Sequence, residues 1–143
     1  RFALQINRQK TRVVDLKQEG TALNFLGYTF RYDRDLRGGD HRYLNLFPSK
    51  KAIARERLKL REMTGPRYCF REIPLLIGDI NRHLRGWANY FRLGYPRKAF
   101  REINSYVRER LTTHLQRRSQ RPYRPPKGLS FYEHLGRFGL IYL

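Results

Sequence analysis

The chain contains a single cysteine, Cys69, so it can form no internal disulfide, and that thiol with four histidines offers no zinc-cluster spacing. This points to a reducing compartment. Acidic residues are scarce: 12 Asp plus Glu stand against 31 Lys plus Arg, a formal charge of +19. No uninterrupted apolar run approaches the roughly 18 residues of a membrane-spanning helix, which excludes a helical span. No targeting segment is visible. The sequence also lacks a P-loop, a Gly-x-Ser-x-Gly elbow, a His-Glu-x-x-His helix and any arrangement of a catalytic triad. Its first residue is Arg1, with an apolar pattern already running, which leads us to expect a piece of a longer protein.

What is present fits one ordinary domain, or a domain with the edge of another. Hydrophobic residues make up 40% and aromatic residues 14% of the chain, too many for a disordered basic tail. A charge this large would repel itself in a free compact monomer. A polyanionic partner relieves that repulsion, and RNA or DNA is the expected one.

The first third reads as strands. Arg12 to Leu16 (RVVDL) and Leu23 to Phe30 (LNFLGYTF) are β-branched and aromatic, with a Glu19-Gly20 turn signal between them. Asp33 to Asp40 reads as a hairpin loop and Arg42 to Phe47 as the returning strand. Ser49 is a helix N-cap candidate after Pro48. Beyond it the period changes to that of a helix. Lys50 to Thr64 carries Ile53, Leu60 and Met63 on one side, and Gly65-Pro66 ends it. Ile73, Ile77, Ile80, Leu84, Trp87 and Phe91 then alternate by four and three, one apolar stripe on an amphipathic helix. Gly94 and Pro96 stop that helix, and a third runs from Arg97 to Arg118 on Phe100, Ile103, Val107, Leu111 and Leu115. Short connections between three amphipathic helices predict a small bundle. Ser119 to Gly128 is Pro-rich and extended, and Phe131 to Leu143 is apolar enough to pack back onto the bundle. The expected fold class is α+β: a small antiparallel sheet followed by a three-helix basic bundle.

The charge concentrates late. From Arg97 to Lys127 ten basic residues face two acidic ones, a local +8. Arg101, Arg108 and Arg118 project away from the apolar stripe of the third helix, giving the basic face that phosphate tracking requires. Lys50, Lys51, Arg82, Arg85, Arg117, Arg121, Arg124 and Lys127 extend the set of candidate RNA contacts. Tyr123, set among arginines, is placed to stack on an unpaired base. Composition does not separate ribosomal proteins, nucleases and polymerase subdomains. In Phe25 to Phe30 the central Gly27 reads as a bulge or as a point of close backbone approach. Asp33 and Asp35 form a carboxylate pair that could hold Mg²⁺, but their place at a hairpin tip argues against a metal site. Trp87 reads as core, and His83, without a Cys or Asp partner, as surface or RNA-facing.

Taken in order, NRQKT, FLGYTF, a Ser-Lys-Lys helix, LRGWANYF and a basic helix ending in RPPKG resemble the group II intron-encoded reverse transcriptase/maturases over essentially the whole chain. The resemblance makes residues 1–47 the C-terminal edge of the polymerase palm and 48–143 the thumb, or maturase domain X. It implies that Lys10 lies near the incoming nucleotide's phosphates, where a lysine can neutralise the leaving group. It also implies that Phe25, Leu26, Gly27 and Tyr28 form the primer-grip hairpin. The implied partners are group II intron RNA, an RNA template–DNA primer duplex and the upstream palm and fingers, with no membrane. A bacterial cytoplasm or an organelle is the implied location. The Tyr-x-Asp-Asp turn that holds catalytic Mg²⁺ is missing. Tyr32 to Asp35 has Arg34 where an aspartate is needed, so no cofactor and no polymerase activity are expected of this chain alone, and Mg²⁺ is expected only for the parent enzyme. A stand-alone basic RNA-binding protein of a ribonucleoprotein is the alternative.

Overall fold

A computed structural model describes residues 15–143 except 17, 19 and 36. The expected strand from Arg12 to Leu16 therefore lies largely outside the described residues, and Leu16 itself sits in a turn.

Strands β1 (Ala22–Phe25), β2 (Tyr28–Arg34) and β3 (Arg42–Pro48) form an antiparallel sheet in the order β1-β2-β3. Leu23 to Phe30 does not run as one strand with a bulge. It folds back on itself, pairing Phe25 with Tyr28 across a two-residue turn. Leu26 and Gly27 both take positive φ, 53° and 84°, the pairing that matches the twist of a tight hairpin. Glycine adopts this at little cost, whereas a leucine there is strained by roughly 1–2 kcal/mol. β2 then runs past the expected loop start, so Asp33 pairs with Tyr43 inside the sheet.

Ser49 caps α1 (Lys50–Met63) as expected, its hydroxyl accepting from the Ala52 amide at 3.1 Å. A single 3₁₀ turn (Pro66–Tyr68) leads into α2 (Ile73–Phe91), and α3 (Arg97–Arg117) follows. The apolar stripes of α2 and α3 meet in one core. Ile80, Leu84 and Ile103 are fully buried and Leu60 of α1 joins them. A fourth helix, α4 (Phe131–Arg137), adds Leu135 to that core. It is short, but a complete capping box starts it: Ser130 and Glu133 satisfy each other's backbone amides.

Sheet and helices are joined by directional contacts. The Tyr95 amide donates to the Leu46 carbonyl at 2.8 Å. That approach requires Gly94, which takes φ +77°, and a Cβ there would strike the Leu46 carbonyl. Trp87 sits at the edge of the core rather than within it, half-buried between Phe91 and Phe100 at ring distances of 4.9 and 5.8 Å.

Candidate nucleic-acid interface

The hairpin turn is held from both sides by the helical part. The Tyr90 hydroxyl, near the end of α2, donates to the Leu26 carbonyl at 2.7 Å. The Ser49 amide, at the start of α1, donates to the Gly27 carbonyl at 2.7 Å. Tyr28 closes the loop, its hydroxyl donating to the Tyr90 carbonyl while its ring packs on Phe91 at 5.0 Å. Burial raises the Tyr28 hydroxyl above its ordinary pKa, so it stays a donor. Both carbonyls of a strained turn are thus occupied, which fixes the turn while leaving Phe25 and Leu26 59% and 67% exposed at its tip.

Beside this turn lies a groove of about 690 Å³, walled by the hairpin and the first turns of α1. Phe25, Leu26 and Phe47 give it apolar surface, and Lys50, Lys51 and Arg55 give it charge. No acidic residue offsets these cations in the first turn of α1. Lysines at a helix N-terminus oppose the helix dipole, so their placement costs stability and concentrates positive potential where an anion would relieve it. Arg31 also lines the groove, but it is committed: its guanidinium bonds Asp33 at 2.6 and 3.0 Å and lies over Phe47 at 5.1 Å.

Asp33 is correspondingly occupied. Arg31 holds its carboxyl below the usual range, assisted by the Asn45 amide at 2.7 Å, while burial opposes them. Asp35 instead accepts from the Arg37 amide at 3.1 Å. This pair does not present two free carboxylates to a cation, and among the described residues no group of three or more His, Cys, Asp or Glu could hold a metal.

The other sequence-derived candidates are scattered. Arg82, Arg85, Arg101, Arg108, Arg118, Arg121, Arg124 and Lys127 are all exposed. Arg82 bonds Asp79, which also pairs with Arg71 at 2.7 Å. Arg117 reaches the Thr64 carbonyl at 3.5 Å, and Arg110 bonds the Thr64 hydroxyl at 3.2 Å, so both serve the C-terminal end of α1. Arg101 and Arg108 line a different cleft from the one that Lys50 and Lys51 line. Lys10, like Asn7 and Thr11, lies outside the described residues.

Two expectations need correcting. His83 is neither free nor merely surface: it pairs at 2.8 Å with Glu56, a carboxylate only 4% exposed. The partner lies 27 residues away on α1, beyond any local motif. Tyr123 does not stand ready for a base. Its ring stacks on His134 and its hydroxyl bonds that imidazole, anchoring the extended segment to α4. Arg55 was missed, although Lys51, Arg55 and Lys59 recur at every fourth residue and so share one face of α1.

The model of the group II intron maturase-specific domain matches residues 53–128. The chain belongs to this family. The match starts in the first turns of α1 and ends with the extended segment after α3, so it covers α2, α3, most of α1 and the densest charge but not α4. Membership makes this a group II intron maturase domain, with a role in intron splicing and intron RNA as its partner. No curated protein matches the chain. The maturase domain has no helix, among the described residues, long and apolar enough to cross a membrane.

Proposed function

We propose that this maturase domain grips group II intron RNA directly to promote splicing. As the thumb of a reverse transcriptase it also holds the template–primer duplex, with Phe25, Leu26, Gly27 and Tyr28 positioning the primer end. The observation that carries this reading is the groove beside the hairpin. A rigid, exposed apolar turn stands against Lys50, Lys51 and Arg55, so a nucleic-acid backbone lying along α1 would bring its terminal sugar and base to Phe25 and Leu26. The bound turn carbonyls supply the rigidity that positioning a reacting end requires. Upstream palm and fingers of the same protein contribute the Mg²⁺-binding aspartates, and Lys10 acts on the nucleotide phosphates only with them. The family match to a maturase domain favours intron RNA over the RNA of another ribonucleoprotein.

The test is a filter-binding titration with group II intron RNA across a salt series. We expect tight binding at low salt and a linear fall of log K with log salt, steeper with each phosphate neutralised. Reversing Lys50 and Lys51 to Glu lowers both the affinity and that slope. Absence of binding at low salt, or binding without a salt slope, defeats the reading.

A further inference from the structure

A second cleft lies on the outer flank of α3, where the C-terminal residues return across it. Tyr132 of α4 and Tyr142 stack with ring centroids 4.3 Å apart and an interplanar angle of 18°. The Tyr142 hydroxyl donates to the Tyr132 carbonyl at 2.8 Å, which locks the pair in register. Asn104 pins the extended C-terminal segment that carries Tyr142, exchanging hydrogen bonds of 2.9 and 2.8 Å with the Leu143 backbone. The stack is therefore rigid, yet Tyr132 remains 49% exposed.

Arg101 and Arg108, one helical repeat of seven apart on α3, line the same cleft of about 370 Å³ together with Ser105. Neither arginine has a carboxylate partner among the described residues. Glu102, the acid nearest Arg101 in sequence, is drawn to Arg57 of α1 instead, at 3.5 Å. Burial raises the Tyr142 hydroxyl above its ordinary pKa, with the charge of Arg108 acting against that rise, so the guanidinium lies near the stack. Two arginines without a carboxylate partner among the described residues, beside a half-exposed aromatic stack, suit a planar, anionic ligand. The volume is at the lower end of small-ligand sites, the scale of one nucleotide and not of a duplex.

We propose that this cleft holds a single unpaired nucleotide of the RNA, its base continuing the Tyr132–Tyr142 stack and its flanking phosphates held by Arg101 and Arg108. This rests on the RNA-binding reading above but not on the hairpin groove, which is lined by other residues. Guanidinium groups suit the phosphates because they bind two oxygens at once. A preformed aromatic platform suits the base because stacking accepts any of the four.

The experiment uses the protein with two RNA probes, a single-stranded oligoribonucleotide carrying one 2-aminopurine and a fully paired RNA duplex. Wild type should quench the 2-aminopurine fluorescence on binding, and Tyr132→Phe should do the same. Tyr132→Ala should lose the quench and about tenfold or more in single-strand affinity, with duplex affinity unchanged. Tyr132→Leu, which keeps bulk without a π face, should behave like Tyr132→Ala while keeping the wild-type melting temperature. Should either variant quench and bind the single strand as wild type does, the cleft proposal is overturned while the hairpin-groove reading stands. Failure of wild type to bind either probe at low salt overturns both.

Discussion

In the helical bundle Leu60, Ile80, Leu84 and Ile103 are completely buried, and their contacts are apolar. Where the sheet meets the helices, Tyr28, Thr29, Pro48 and Ser49 are buried beside Phe91, and four hydrogen bonds cross the join: the Tyr28 and Tyr90 hydroxyls each donate to a backbone carbonyl, and the Ser49 and Tyr95 amides donate to two more. The first region is held by burial, which is non-directional and proportional to area. The second is held by bonds that work only at one geometry. A core of the first kind tolerates a volume-conserving swap. A join of the second kind does not tolerate a displaced hydroxyl. The exposed turn that the proposed function depends on hangs from the second kind, so its position is set more sharply than its stability.

Five measurements test whether the two regions differ in this way. The largest effect is expected in the bundle: Leu84→Ala should cost about 2–5 kcal/mol in denaturant unfolding, while Leu84→Met should cost under about 1.5 kcal/mol. Comparable losses for both would mean that the bundle core is as geometry-bound as the junction. Gly94→Ala should follow, at about 1–3 kcal/mol, because the new Cβ meets the Leu46 carbonyl and the residue must keep a positive φ. Unchanged unfolding would show that the α2–α3 link can back away from the sheet. Tyr28→Phe and Tyr90→Phe should each cost only about 1 kcal/mol. Their effects should be non-additive, because the two hydroxyls form one loop, and limited proteolysis at the hairpin should accelerate in both. Additive losses would leave the loop without energetic meaning.

The fourth measurement is pH-dependent. Burial, reinforced by Arg118, Arg117 and Arg110, holds His114 below its usual pKa of 6.5. The unfolded chain therefore binds this proton first, so the stability present above pH 6.5 falls as pH drops from there towards the lower folded value. His114→Leu should flatten that part of the stability profile, and an unchanged profile would assign the acid loss elsewhere. The smallest effect is also the one of unusual sign. Lys50→Glu with Lys51→Glu should stabilise α1 by about 0.3–1 kcal/mol, since acids suit a helix N-terminus, while weakening RNA binding. A fall in both would make the lysines structural.

The parts legible in the sequence are those written in local spacing. The four-three alternation from Ile73 to Phe91 gave α2 and its buried face, because a helix places those positions side by side whatever surrounds it. Ser49 could be read as a cap because capping joins residues three apart. Arg101 and Arg108 could be read as exposed because they lie off the stripe of α3. The turn at Leu26-Gly27 was hidden from periodicity, since leucine is a poor residue for positive φ and the apolar run on both sides suggested continuity. Only the resemblance to the reverse transcriptase/maturases pointed to a hairpin there. The α4 helix did carry a readable signal, Ser130 and Glu133 at capping-box spacing, but few residues follow it to show a period.

By itself the sequence determined that this protein is a basic sheet-and-bundle chain of the maturase kind. Net charge, apolar period and motif order are properties of the chain that no packing can alter. The tertiary structure alone decided which cations stand free and which are spent. Arg110 bonds the Thr64 hydroxyl, Arg117 reaches the Thr64 carbonyl from an exposed position, His83 answers Glu56, and Tyr123 closes on His134, while Lys50, Lys51, Arg101 and Arg108 remain without carboxylate partners among the described residues. Such partners lie between 11 and 53 residues apart, and a charge or a ring acquires its role only when the fold brings its neighbour within a few ångströms.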